Sequence, residues 1–570
     1  MKIKTIEIKR FRSIKQSKIE IGKITGIVGE NNAGKTAVLR ALNAFFNFEV
    51  EKEYFINKIH KYGPKSNTYI DIEFEVVNQL PSEFTDFLYD NIIKLRFSYN
   101  YNDNKEEYAV YRDSKYHRLT NDDWSKLLAK MDYVYIPVER NQVQSNNSNN
   151  IFDLLVKNYI EKYTSNRDTI STHVRNATNT LHKNILSKLE KNIRELYFFD
   201  DNNNFKIDAP PGIDYKILLK SLEMSLASET GEHPLAEYGS GTKSLTTIAM
   251  YRANAKLQGK SVILGIEEPE TNLHPQAQKR LIDKLKNSVG NEEIQAIFTT
   301  HSTVLIDQLE HENIILARRQ SDNNSRVKTE LTQIGNKFWE NPEIEEFKHY
   351  QYFRYKNSDF FFSNYVVVCE SKNDCQVIEK IVGDRIGSSV LKISFLDAGG
   401  KENIKYAYYL LKALNIPSTF VVDKDYFFDY RNSNLEESRD LQTGLPQYDF
   451  SKFSSNHLVR EIFGMNARSI LNNSSYRGLF SAISKKNFLS MNYCLEMDLT
   501  CSTKARNEYF RILNIPIQKQ TRFELLSNYK NAIKKIGNIM EILSTLSDKQ
   551  MPESYKKIRN FIVADSKKYL

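Results

Sequence analysis

The sequence predicts an α/β chain built from two parallel-sheet domains in series, and three observations carry that prediction. An apolar stretch at residues 23–28 runs into Gly29-Glu-Asn-Asn-Ala-Gly34-Lys35-Thr36 and then into a helix-forming segment, the strand–loop–helix order of a phosphate loop. A second apolar stretch, residues 261–266, ends in the acidic pair Glu267-Glu268. From Tyr365 onward three further apolar runs alternate with helix-forming segments, and acidic residues stand at their carboxyl ends. At 570 residues the chain is too long for a single core.

Bulk properties exclude several classes. The 80 Lys and Arg against 71 Asp and Glu leave a net charge of +9, which permits a nucleic-acid partner without demanding one. The four cysteines, Cys369, Cys375, Cys494 and Cys501, form no zinc-type pair of pairs and read as free thiols in a reducing compartment. No run approaches 18 apolar residues, and the opening MKIKTIEIKRF lacks the apolar centre of a signal peptide. The expectation is a cytoplasmic chain with no membrane partner.

The phosphate loop predicts an ATP site. Gly29 and Gly34 let backbone N–H groups around Asn31 and Asn32 close on phosphates, Lys35 reaches the β- and γ-phosphates, and the Thr36 hydroxyl ligates Mg²⁺. Glu267 takes the Walker-B position as a metal ligand, and Glu268 is the candidate base that positions water. Two more pieces, EYGSGTKSL at 237–245 and AIFTTHSTVLI at 296–306, complete a set. With them the chain resembles the ABC-type heads of the SMC and recombination-mediator ATPases. That resemblance implies a signature loop at Ser240 and Gly241, a γ-phosphate sensor at His301, a Q-loop residue at Gln142, and a homodimer or higher homo-oligomer with composite sites. The segments FRSI at 11–14 and YIPVERNQ at 135–142 look like further head elements.

More than two hundred residues separate the phosphate loop from Glu267. The polar linker QSNNSNN ends the first part of the head at residue 150, and Leu181, Ile185, Leu189, Ile193 and Leu196 recur at helical spacing beyond it. Residues 151–222 therefore read as a helical insertion, either a dimerisation element or a cover packed on the head. Residues 223–335 return to the head, and 336–363 form a connector.

Residues 364–570 restart the alternation. YVVVCESKNDCQVIEKIV, VLKISFLDAGGKENIKYAYYLLKAL and STFVVDKDY each begin with a strand, and their carboxyl ends bring Glu370, Asp374, Asp423 and Asp425 to one sheet edge. Asp423 and Asp425, two apart, are expected on one face of the strand. Hard carboxylates gathered this way suit a divalent ion such as Mg²⁺, with Mn²⁺ as an alternative, whereas an Asp-rich turn is the bland reading. From Lys504 to Lys535 eight Lys or Arg stand against two Glu, read either as a solvated face or as a path for phosphates.

The order of strand-Glu, strand-Gly-Gly and strand-Asp-x-Asp resembles the Toprim domain of topoisomerases, primases and the OLD (overcoming lysogenisation defect) nucleases. An ABC-type head followed by such a domain resembles the OLD family over almost the whole chain. That family includes the nuclease subunit of the Gabija anti-phage system and effectors of some retrons. The resemblance implies an ATP-regulated, Mg²⁺-dependent DNA endonuclease of anti-phage defence, with DNA and a helicase or reverse transcriptase as partners. It also implies second-metal ligands at Glu496 and Asp498 in NYCLEMDL, and a catalytic lysine near the C-terminus, Lys557 with Lys530 as rival. The alternatives are an ATP-driven DNA-binding clamp with a structural Toprim domain, and a topoisomerase or primase.

Overall fold

The computed structural model describes residues 1–65, 67–76, 82–128, 131–138, 151–195, 222, 224–228, 231–238, 240–258, 261–291, 294–321, 326–345, 358–453, 457–464 and 475–569. It divides into two compact units. One comprises Met1–Ile27, Gly34–Leu305 and Arg319–Thr329, and the other Val28–Ala33, Ile306–Arg318 and Glu330–Leu570. Among the described residues no helix is long and apolar enough to cross a membrane.

In the first unit the strands Lys2–Phe11, Ile14–Glu20, Asn67–Glu75, Ile92–Asn100, Lys105–Arg112 and Lys115–Arg118 pair antiparallel. Their side chains alternate. In Ile92–Asn100 the residues Ile93, Leu95, Phe97 and Tyr99 are buried and the intervening ones are not, as one covered face requires. The strands Ile24–Val28, Ile294–Thr300, Ser261–Glu267 and Met131–Ile136 lie side by side in that order within the same twelve-stranded sheet. The last three run parallel. Every residue of Ser261–Glu267 and Ile294–Thr300 is buried, which explains the apolar run at 261–266; in the second strand the buried Gln295 is answered by the Ile3 backbone.

The insertion is helical over Ile151–Lys162, Thr164–Leu181 and Ser187–Glu195, with a π-helical turn at His182–Leu186. Of its apolar stripe Leu181, Ile185 and Leu189 are exposed, while Leu196 lies outside the described residues. The first of these helices packs against Ser240–Gln258, where Asn158 Nδ2 donates to Asn254 Oδ1 at 2.8 Å.

The second unit holds a four-stranded parallel sheet in the order Ile393–Asp397, Tyr365–Cys369, Ser418–Val422, Phe488–Ser490. The first strand in sequence is thus central, and the next two flank it on opposite sides. That reversal opens a crevice at the carboxyl edge between them. Helices Lys372–Ile386 and Ile404–Ala413 follow the first two strands, and Val367, Ile378, Ile381, Tyr509, Tyr555 and Ile558 share one buried core.

One close approach tests this packing. A Cβ on Gly265 would lie 2.0 Å from the Tyr133 hydroxyl, which donates to Leu39 O at 2.9 Å inside the core. Gly265→Ala should therefore lower stability by about 1–3 kcal/mol through overpacking. Denaturant unfolding measures this, and an unchanged midpoint would contradict the packing.

Candidate nucleotide site and acidic edge

The phosphate loop joins the Ile24–Val28 strand to the Lys35–Phe46 helix. Gly34 precedes that helix with φ 96°, and a Cβ there would lie 2.0 Å from Thr329 Oγ1. Asn32 also takes a left-handed backbone, at φ 61°. Lys35 Nζ lies 2.7 Å from His301 Nε2. An ammonium has only donors, so this ring nitrogen accepts and the imidazole is neutral with its proton on Nδ1. Burial, then the Lys35 charge, holds His301 below the ordinary imidazole range.

The acidic turn after Ser261–Glu267 completes the arrangement. Glu268 Oε1 lies 3.8 Å from His301 Nε2, and its backbone is left-handed at φ 39°. Such strain in a non-glycine residue persists only where its surroundings hold it. Here the Glu268 N–H donates to Thr299 O at 3.0 Å. Glu270, which no motif singled out, accepts the His301 N–H and the Thr300 hydroxyl, each at 2.8 Å. Its place in the Glu-Glu-Pro-Glu run was the available signal. Thr36 lies in the first turn of the Lys35–Phe46 helix, and Ser240 and Gly241 open the Ser240–Gln258 helix. Gln142 falls outside the described residues.

In the second unit, Glu370, Asp374, Asp423, Asp425 and Glu496 line one cavity of about 520 Å³ at the carboxyl edge of the parallel sheet. Glu370 follows the Tyr365–Cys369 strand directly, and Asp374 lies in the first turn of the next helix, whose N-cap is Ser371. Asp423 and Asp425 are not on one face of a strand as expected. The strand ends at Val422, and a short turn over Lys424–Tyr426 carries Asp425. The Asp423 N–H donates to Glu370 Oε1 at 2.8 Å, and the Lys424 N–H to Tyr493 O at 3.0 Å, so the chain leaves the sheet there.

Two expected members stand elsewhere. Asp498 shares the Leu495–Thr500 helix with Glu496, and two residues along a helix is about 200° of rotation. It accepts the N–H groups of Asn492 and Tyr493 at 2.7 and 2.8 Å, an anchor for the turn rather than a wall of the cavity. Lys557 also lies outside the cavity wall. Its ammonium is 3.7 Å from Glu553 and sits over the Tyr476 and Phe480 rings. The cations that do reach the acids are Lys401, 3.1 Å from Asp425, and Lys534, 3.2 Å from Glu496. Lys530 lines the cavity paired with Glu436. Lys401 was legible in principle, since it follows the Gly399-Gly400 turn at the same sheet edge. These pairs also take up part of the basic 504–535 stretch, as do Lys504 and Arg511 with Glu508.

Burial and mutual repulsion leave Glu370, Asp374 and Asp423 reluctant to ionise. Burial, then Asp425 and Asp374, pushes Glu370 up to about 8, and burial with Glu496 nearby pushes Asp374 up to about 6. Asp423 is raised as well, by burial first and the Glu370 charge second. Among the described residues no three His, Cys, Asp or Glu side chains form a ready ligand set. The reason lies in the partners already held: Asp423 N–H on Glu370, Ser371 Oγ on Asp374 at 2.6 Å, Lys401 on Asp425 and Lys534 on Glu496. The donors themselves, Glu370, Asp374, Asp423, Asp425 and Glu496 around a roomy cavity, fit a hard dication that keeps several waters. The Cys494 thiol in the same wall does not suit such an ion.

Glu370 gives this a measurable sign. With its pKa at about 8 in the folded chain against 4.5 for a free carboxyl, it keeps a proton that the unfolded chain has released. Its contribution to stability is full below pH 4.5 and is lost as pH rises to 8. In chelator, the melting temperature of the wild type relative to Glu370→Gln should fall across that window. Millimolar Mn²⁺ or Mg²⁺ should restore the wild type alone, because a ligand that binds the folded state raises its apparent stability. A difference that rises with pH in chelator would refute the assignment.

Comparison with known proteins agrees with this geometry. The AAA ATPase domain family matches residues 1–306, and the TOPRIM domain of overcoming lysogenization defect protein-like chains matches residues 361–425. The chain is 24% identical over 464 residues to the OLD nuclease of Thermus scotoductus, covering 74% of this chain and 82% of the relative. It is 21% identical to Endonuclease GajA of Bacillus cereus, covering 81% and 78%, and 22% identical to the Old nuclease of Escherichia phage P2, covering 86% and 87%. The chain belongs to the AAA ATPase domain family and joins that ATPase to an OLD-like TOPRIM domain.

Proposed function

We propose that the chain is an ATP-regulated, Mg²⁺-dependent DNA endonuclease that acts in defence against phage. The observation that carries this reading is the cavity lined by Glu370, Asp374, Asp423, Asp425 and Glu496, in a chain that also holds the Lys35–His301–Glu268 arrangement. Relatives that align over most of the chain bear the names of nucleases.

In this reading, Glu370, Asp374, Asp423, Asp425 and Glu496 would hold divalent ions. A pair of such ions supplies an activated water and a counter-charge for the leaving oxygen of a phosphodiester. Lys401 and Lys534, released from Asp425 and Glu496, become cations available to the DNA phosphate beside the acids. In the ATPase, Lys35, which contacts His301 here, would neutralise the β- and γ-phosphates, Thr36 and Glu267 would hold Mg²⁺, and Glu268 would orient the attacking water. A neutral His301 then has an Nε2 lone pair or, once protonated, an N–H to offer near the γ-phosphate. Ser240 and Gly241, at the start of the Ser240–Gln258 helix, would close on a second copy, and a helicase or a reverse transcriptase with its nucleic acid would be the defence partner.

Two variants separate the activities. Asp425→Asn should abolish nicking of supercoiled plasmid in Mg²⁺ yet retain ATP hydrolysis, whereas Lys35→Ala should abolish hydrolysis by removing the cation that neutralises the γ-phosphate. Gel analysis of plasmid and a phosphate-release assay read both. Cleavage by Asp425→Asn at the wild-type rate would refute the nuclease site. An intact plasmid with wild type would favour a DNA clamp, and relaxed topoisomers a topoisomerase.

A further inference from the structure

A second cavity of about 520 Å³ lies in the first unit, and its wall carries Lys9, Arg10, Lys15, Lys65, Arg96 and Arg326 with no carboxylate among its lining residues. Two of these charges are already answered. Lys9 Nζ is 2.8 Å from Glu7, and Arg96 makes a two-pronged bond to Asp71 at 2.6 Å on each side. Arg10, Lys15 and Lys65 have no carboxylate partner among the described residues. Lys15 and Lys65 are exposed.

Arg10 is held in place. Its backbone is left-handed at φ 59°, its carbonyl accepts the Thr68 hydroxyl at 2.6 Å, and its Nε donates to Asn67 O at 2.7 Å. Its guanidinium lies 5.2 Å from the centre of the Tyr69 ring. Three consecutive residues, 67–69, thus fix one cation while leaving its remaining N–H groups for a ligand. A strained backbone kept for this end points to function. Rows of cations without acids suit phosphates, and the planar fork of Arg10 suits them best. Tyr69 is covered by Arg10 and by Arg96, 4.9 Å away, so it does not present a free face for stacking a base. The recognition available is that of a sugar-phosphate backbone, independent of sequence.

We infer that this groove, through Arg10, Lys15 and Lys65, binds the phosphate backbone of duplex DNA at a site made of none of the acidic-cavity residues. The inference rests on the reading that the chain acts on DNA. The backbone contacts would dock the duplex on the ATPase unit whatever its sequence.

The test is equilibrium binding of fluorescent duplex DNA to the full chain in chelator, over a range of salt, with wild type, Lys15→Glu/Lys65→Glu and Lys15→Arg/Lys65→Arg. The Glu variant should bind more weakly, and its log–log salt slope should shrink by about 0.9 for each phosphate that is no longer neutralised. The Arg variant should match wild type, and the ATPase rate of both should be unchanged. If wild type binds DNA and the Glu variant binds with the same affinity and slope, the groove proposal is overturned while the nuclease reading stands. If wild type binds no DNA, the DNA reading fails and the groove proposal with it. If DNA binding is unaltered but inorganic triphosphate raises the melting temperature of wild type and not of the Glu variant, the groove is a small-anion site and the proposal is likewise overturned.

Discussion

Like-charge repulsion at the carboxyl edge of the small parallel sheet is the constraint around which the second unit is organised. Six carboxylates line one cavity, Glu436 together with the five acids of the sheet edge, and the chain answers most of them from its own groups. It does so with a backbone N–H on Glu370, a hydroxyl on Asp374, and lysines on Asp425 and Glu496. What these partners leave uncompensated appears as the raised pKa values of Glu370 and Asp374. A stable core could be made more simply with apolar residues at such positions, and this supports the proposed reading of the edge as a metal site over a scaffold.

The order of the strands explains why the acids meet. Tyr365–Cys369 is central, with Ile393–Asp397 on one side and Ser418–Val422 on the other, and the chain leaves the sheet in opposite directions from the two flanks. Residues just past the strand ends therefore face a crevice that no crossover helix fills. The C-terminal helices close the far wall by delivering Glu496, Lys530 and Lys534, from segments more than a hundred residues beyond Glu370.

The ATPase unit solves a related problem with the opposite charge. Lys35 stands buried in the phosphate loop, and the neutral imidazole of His301 accepts from it. Glu270 fixes the backbone of His301, and the left-handed Glu268 carries its carboxylate to the same imidazole. Loop and strand ends are thereby held in a geometry that a triphosphate can take over by exchanging one partner of Lys35 for another.

Much of this was legible in the sequence, because the features concerned are local. A glycine-rich loop between strand and helix, an acidic pair after an apolar run, and strands alternating with helices are each contained within about twenty residues and obey short-range rules. They determined the α/β class, the position of Lys35 and Glu268, and the presence of Glu370, Asp374, Asp423 and Asp425 at one edge. What they could not determine was which distant side chains face that edge. Glu496 and Asp498 look equivalent as neighbours two apart, yet about 200° of helix rotation sends Glu496 into the cavity and Asp498 onto the backbone of Asn492 and Tyr493. Lys557 matched a pattern, whereas Lys534 and Lys401 reach the acids. The basic groove of the first unit joins residues 9–16, 62–69, 96 and 326, which no local pattern connects. Spacing along the chain specifies elements; only the pairing of strands and the packing of helices decides which charges come within bonding distance, because Coulomb interactions depend on separation in space and not in sequence.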